Sequence, residues 1–238
     1  MFLVPCSLNP VGWVGETRNI LKTVTLLRMR RKERAEAVLE LLAAEYPEAT
    51  CELNYGDAWE LLVATVLSAQ CTDVRVNLVT PRLFARWPGP HDLADAELGE
   101  IEAIIRSTGF FRNKARTLRD AARQLIADHD GTVPADMEAL VALPGVGRKT
   151  AKVVLGEAFR IPAGITVDTH VRRLSRRIGI SSNNDPEKIA ADLERVVPRA
   201  EWIDFSLRLI LHGRRVCTAR KPRCGDCALA SVCRQIDV

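Results

Sequence analysis

At 238 residues, with 47% apolar and 27% charged residues, the chain can bury a full core, as one large domain or two small ones. No stretch approaches the roughly 18 consecutive apolar residues of a membrane span, which argues against a membrane role. Lys and Arg total 34 against 30 Asp and Glu, a net charge of +4 that is too small to imply a polyanionic partner unless the charges are segregated.

The first residues, Met1 to Gly15, carry no charge and superficially suggest an export signal. They have no basic segment, however, and Pro5, Asn9, Pro10 and Gly12 interrupt the apolar stretch, so residues 1–28 read as a poorly ordered extension. From Arg30 onward the apolar spacing is helical and no segment alternates as a strand would, so the fold class is all-α. Ala35, Val38, Leu39 and Leu42 make the first stripe, before Pro47. Asp57 and Glu60 form a capping box ahead of a helix that buries Trp59, Leu62, Val63, Val66 and Leu67. Thr72 or Asp73 caps the next helix, and Thr80-Pro81 is expected to restart it, because proline suits a first helical turn rather than an interior. Trp87 to Asp92 reads as a polar connection. A helix through Ile101, Ile104 and Ile105 ends at Gly109, another carries the stripe Ala115, Leu118, Ala122, Leu125 and Ile126, and Asp136 caps a short one.

Leu140-Val-Ala-Leu-Pro-Gly-Val-Gly-Arg-Lys-Thr-Ala151 then joins two helices through Gly145 and Gly147. So tight a turn needs glycine for its dihedrals and for close approach, and it aims backbone N–H groups and a helix N-terminus outward, which suits a phosphate. The bland alternative is a simple turn between helices, and such hairpins also occur in proteins that catalyse nothing. Lys149 sits where it could contact phosphate or act as an amine nucleophile. Asp168 precedes the stripe Val171, Leu174 and Ile178 and is by default a helix cap. From Ser206 to Val238 the basic residues Arg208, Arg214, Arg215, Arg220, Lys221, Arg223 and Arg234 face only Asp226 and Asp237, giving either a phosphate-facing surface or an ordinary solvated one. Four of the seven cysteines, Cys217, Cys224, Cys227 and Cys233, are spaced C-x6-C-x2-C-x5-C. An odd, clustered set argues against a disulfide framework and for a local metal or cluster site in a reducing compartment, with zinc and an iron–sulfur cubane both open on spacing alone.

Leu143 to Ala151, Val167-Asp-Thr-His170, Leu67-Ser-Ala-Gln-Cys-Thr-Asp73 and Leu211-His-Gly213 ahead of the cysteines together resemble the endonuclease III family of DNA glycosylases, in that family's order and from about Met29 to the C-terminus. Met29-Arg-Arg-Lys-Glu resembles a natural family start, so residues 1–28 are expected to be dispensable. The resemblance implies a helix-hairpin-helix glycosylase fold of two helical domains flanking a DNA-binding cleft. Residues 51–161 would form a six-helix domain, and residues 29–50 with 162–238 the domain carrying the cluster loop. It implies a bifunctional glycosylase and lyase that removes oxidised pyrimidines and cuts the strand by β-elimination. Lys149 would be the Schiff-base nucleophile, helped by partial desolvation and a helix N-terminus, and Asp168 its carboxylate partner.

By the same resemblance, Gln70 fills the gap left by the extruded nucleotide, and Phe110 is an apolar wedge whose alternative is a core position. Asp73 and His170 line the pocket. Gly145, Gly147 and Arg148 grip the DNA from the hairpin, and Arg220, Lys221 and Arg223 do so from the loop between the first two cysteines. The four cysteines hold a structural 4Fe-4S cluster. The implied partner is double-stranded DNA with a damaged base or abasic site, bound by a monomer on the nucleoid in the cytoplasm. Ala64 aligns where adenine-removing relatives carry a glutamate, and Val141 where some members carry an acid. A monofunctional mismatch or uracil-type glycosylase and a non-catalytic DNA-binding protein are the competing readings.

Overall fold

The structure, a computed structural model, describes residues 29–238; the reading of residues 1–28 as an extension lies outside the described residues. Among the described residues the regular structure is helical throughout: α1 (Arg31–Glu45), α2 (Ala58–Leu67), α3 (Asp73–Arg86), α4 (Pro90–Ala94), α5 (Leu98–Ile105), α6 (Phe111–His129), α7 (Met137–Ala142), α8 (Arg148–Phe159), α9 (Thr169–Ile178), α10 (Pro186–Glu194) and α11 (Trp202–Arg215), with short 3-10 turns between some of them. No helix among them is long and apolar enough to cross a membrane.

The apolar stripes sort into two cores. One gathers Trp59, Leu62 and Val66 of α2 with Ile101, Ile105, Leu118, Leu125, Leu140, Val154 and Leu155, so that α2 through α8 share it. The other joins Ala35, Val38 and Leu42 of α1 to Val171, Leu174 and Ile178 of α9, Leu193 of α10, and Phe205 and Leu209 of α11. Helix α1 is drawn across to the C-terminal elements because its buried edge includes Arg34, whose Nε donates to the Val232 carbonyl at 3.0 Å. A buried guanidinium is tolerable only when it is hydrogen-bonded in this way. The chain therefore passes from the second core to the first after α1 and returns along residues 160–168, which carry no helix.

Local capping follows the side-chain chemistry. Asp57 accepts from Glu60 N at 2.8 Å, while Glu60 reaches back one residue further than expected, accepting from Gly56 N at 2.6 Å. Thr72 caps α3 and Asp136 caps α7. Two expectations yield. Pro81 does not restart α3 but lies inside it, because the buried edge Val76, Thr80 and Leu83 continues past the proline and holds the helix against the core. The connection after Trp87 contains α4, begun by Pro90 at its first position with Asp92 accepting from Gly89 N at 3.1 Å. Residues 51–161 consequently hold seven helices rather than six.

Candidate functional site

Helices α7 and α8 are joined by the hairpin, which Leu140, Leu143 and Val146 anchor in the first core. Its two glycines do different work. Gly145 has φ +72°, and a Cβ there would lie 2.1 Å from Thr117 Cγ2, so both backbone and neighbour demand glycine. Gly147 is the N-cap of α8, supplies no side-chain acceptor, and has no heavy atom within 4 Å of where a Cβ would sit. A side chain at Gly147 would thus enter open space beside the exposed Arg148 and Lys149, at the helix end whose first-turn N–H groups have no intrahelical acceptor. Lys149 stands at a helix N-terminus as expected. The expected desolvation is not supplied by the free chain, because this lysine is exposed.

Asp168 caps α9 across the cleft. Its Oδ1 accepts from His170 N and Val171 N, both at 2.8 Å, so the backbone fixes the carboxylate while Oδ2 accepts no hydrogen bond from the described residues. Three adjoining cavities run along the cleft, and among the described residues Lys149 and Asp168 are the only two that line all three. Lys149 rises from a helix of the first core and Asp168 from a helix of the second.

The outermost of these cavities also takes in Gln70, Asp73 and His170. Gln70 is exposed, with a left-handed φ of +55°, which holds its side chain at the tip of the turn after α2. Asp73 Oδ2 accepts from Arg214 Nη2 at 2.6 Å, and Arg214 also pairs with Glu52, so a single guanidinium from α11 reaches across to two carboxylates on the other wall. His170 is set by Gly213: a Cβ there would lie 2.8 Å from His170 Cβ, so only glycine lets α11 approach α9 this closely. Phe110 lies outside the cavities. It is 66% exposed with φ +48°, so it is a loop tip and not a core residue, while Phe111 packs on the first core. Arg148, Arg220, Lys221 and Arg223 are exposed.

Sequence reasoning gave no pocket role to Thr65 and Ser68 at the α2 end, Lys152 of α8, Gly164 or Arg214, which all line the central cavity, of about 390 Å³. The α2 residue facing it is thus Thr65, whereas Ala64 is fully buried in the core; neither is an acid. Val141 is at the surface and lines none of the three cavities. Cys51 and Glu157 also line the central cavity. Burial pushes the Cys51 thiol up to about 11, which leaves it unreactive, and also raises the Glu157 carboxyl.

Cys217, Cys224, Cys227 and Cys233 line one small cavity at the C-terminal end, and none of them is in a disulfide with another described residue. Four cysteine sulfurs lining one space are the donor set of a thiolate-bound metal centre. The donors around them fit an iron–sulfur cluster: Arg177 Nη1 and Gln235 N donate to the sulfurs of Cys217 and Cys233 at 3.4 Å, and His212, neutral because burial lowers it to about 4, bridges the Tyr46 hydroxyl and Cys227 sulfur. The same Arg177 also holds the intervening loop, donating to the carbonyls of Thr218 at 2.7 Å and Ala219 at 2.9 Å, with Arg220 and Lys221 exposed beyond it.

Residues 63–199 match the family model of the HhH-GPD superfamily of base excision DNA repair proteins, and residues 217–233 match the iron-sulfur binding domain of endonuclease III. The chain is 54% identical to the endonuclease III of Synechocystis sp. over 203 residues, covering 85% of this chain and 93% of that protein. A solved structure of a non-covalent endonuclease III–DNA complex superposes with a TM-score of 0.83 at 44% identity, covering 87% of this chain and 97% of that one. A trapped covalent endonuclease III–DNA intermediate gives 0.82 at 43% identity with the same coverage.

Proposed function

Because the chain belongs to the endonuclease III family of base excision DNA repair proteins, we propose that Lys149 and Asp168 carry its reaction, in the cleft between two helical units built on the two cores. The protein is a DNA glycosylase with AP lyase activity and it carries the family's 4Fe-4S cluster on Cys217, Cys224, Cys227 and Cys233. The observation that supports this pairing of residues is that the lysine and the aspartate come from opposite walls and share all three cavities.

In the proposed sequence the Lys149 amine attacks the sugar C1′ of an extruded nucleotide and displaces the base, which departs with the glycosidic electron pair and takes up a proton. The attached amine then loses a proton and the C1′–O4′ bond breaks, O4′ leaving as a hydroxyl, which gives an iminium. This acidifies the C2′ proton, whose removal expels the 3′ phosphate, and water then releases the lysine. DNA supplies the desolvation that the free chain lacks, since closing the cleft over a flipped nucleotide excludes water around Lys149. The free Oδ2 of Asp168 stabilises positive charge developing on the sugar. Asp73, held by Arg214, and His170 line the approach. Gln70 and Phe110, on separate exposed tips, enter the duplex to fill the vacancy and wedge the stack. Gly145, Gly147, Arg148 and the cations Arg220, Lys221 and Arg223 bear on phosphates. The cluster serves to tether the loop carrying those three cations.

Oxidised pyrimidines in duplex DNA are the proposed substrates, acted on by a monomer in the cytoplasm at the nucleoid. Borohydride reduction on duplexes bearing single lesions tests this. The wild-type chain becomes covalently fixed to oxidised-pyrimidine DNA, and Lys149→Ala binds the DNA without being fixed. Trapping that survives loss of Lys149 would overturn the assignment, and trapping confined to other bases would overturn the substrate class.

A further inference from the structure

Lys114, in the first turns of α6, belongs to no motif and lines none of the cleft cavities, yet its side chain is 5% exposed. Its ammonium donates to two backbone carbonyls: that of Leu67, the last residue of α2, at 2.8 Å, and that of Thr108, the last residue of the 3-10 turn after α5, at 2.9 Å. Both segments end with carbonyls that helical hydrogen bonding leaves unserved, and both present the negative end of a backbone dipole to the same cation. Three residues past Leu67 the chain reaches Gln70 at φ +55°, and two past Thr108 it reaches Phe110 at φ +48°. These are non-glycine residues in the left-handed region, a conformation that persists only when the surroundings impose it.

We infer that Lys114 is the positioning residue that joins the Gln70 turn to the Phe110 turn, so that the two tips enter DNA as one rigid unit. The inference rests on the reading of those tips as insertion loops. One buried ammonium with its donors divided between the roots of two separate loops fixes their spacing from a single point, which two independently capped loops would not do. A methionine at this position would fill the same channel while leaving both carbonyls without a donor. An arginine carries enough N–H groups to serve both.

The test is a double-mutant cycle on Gln70→Ala and Phe110→Ala, in the wild-type and Lys114→Met backgrounds. It is read as affinity for a duplex with a non-cleavable abasic analogue and as fluorescence of 2-aminopurine placed opposite it. In the wild-type background each single change weakens binding, and the double change weakens it by less than the product of the two, by a factor of about three or more. In the Lys114→Met background the losses multiply, the fluorescence signal of the displaced partner base falls, and undamaged duplex binds as before. Lys114→Arg restores the coupling. Where Lys114→Met does not fold by circular dichroism, Lys114→Gln, which removes the charge and shortens the side chain while keeping two N–H donors, takes its place, and the coupling should fall there too. The same coupling with and without the ammonium would overturn the inference while sparing the insertion loops. Single variants that bind the analogue like wild type would instead remove the insertion reading, and the inference with it.

Discussion

The return of the chain from the first core to the second passes through Gly164, and replacing it with alanine tests whether that crossing sets the active site. Gly164 has φ +147°, and a Cβ there would lie 2.7 Å from Lys152 Cε and 2.9 Å from Glu194 Oε1. Glu194 Oε1 already accepts from Ile165 N at 2.8 Å, and Lys152, only 8% exposed at its side chain, lies 3.7 Å from Glu187 and 4.0 Å from Glu194, so moving either neighbour aside disturbs these contacts. A non-glycine residue in such backbone costs about 1–3 kcal/mol, and overfilling a packed site costs about as much again. At about 2–4 °C per kcal/mol for a chain of this size, Gly164→Ala should lower the melting temperature by roughly 4–24 °C. The measurement is a thermal melt by far-ultraviolet circular dichroism. Adding Lys152→Ala removes the Cε collision but not the backbone strain, so the double variant should recover part of the loss relative to Lys152→Ala alone. Because Asp168 lies four residues further along the same crossing, borohydride trapping should also fall well below the new melting temperature. A melting temperature within about 2 °C of wild type would refute the reasoning, and so would a loss that Lys152→Ala leaves untouched.

Asp168→Asn keeps a capping side chain and should hold stability within about 0.5 kcal/mol, whereas Asp168→Ala should lose about 1 kcal/mol; both should slow single-turnover trapping, and equal stability for the two would contradict the capping geometry. Glu157 tests the burial of the central cavity: burial raises its folded-state pKa, so its contribution to stability is present below the unfolded value of about 4.3 and is lost as pH rises through the raised folded one. Glu157→Gln should therefore melt higher than wild type at pH 8 and equally below about pH 4; a gain that grows toward acid would show the opposite shift. Removing the cluster by Cys224→Ser should abolish the visible thiolate-to-iron absorption and weaken binding to undamaged duplex, with a shallower salt dependence as Arg220 and Lys221 lose their fixed placement. An unchanged salt slope would separate the cluster from DNA binding.

What could be read from the sequence and what could not divide along a physical line. Features fixed within one turn of chain were legible: the caps at Asp57, Asp136 and Asp168, the left-handed end at Gly109, and the hairpin with its lysine at a helix N-terminus. Each is settled by residues within a few positions of one another, where spacing and side-chain chemistry suffice. Pro81 departs from the expectation because its local preference for a helix start is weaker than the buried edge of α3 that runs past it. The contacts that shape the pocket are long-range. Arg214 meets Asp73 from 141 positions away, and Lys114 meets Leu67 from 47, so no window of sequence contains either pair.

Gly164 and Gly213 are the intermediate case. Each announces itself as a glycine, but what it makes room for, Lys152 with Glu194 in one instance and His170 in the other, is decided by which helices the two cores bring together. A glycine without a turn around it is therefore the sequence signal for such places, and it points to a close approach without naming the partner. Here both close approaches flank Asp168, one on the crossing that leads to it and one on the helix packed against α9. The carboxylate's placement thus follows from how the second core closes on the first at Gly164 and from the packing of α11 on α9 within the second core at Gly213. Substitutions at these two glycines should accordingly perturb the reaction more than changes of the same size among the exposed cations.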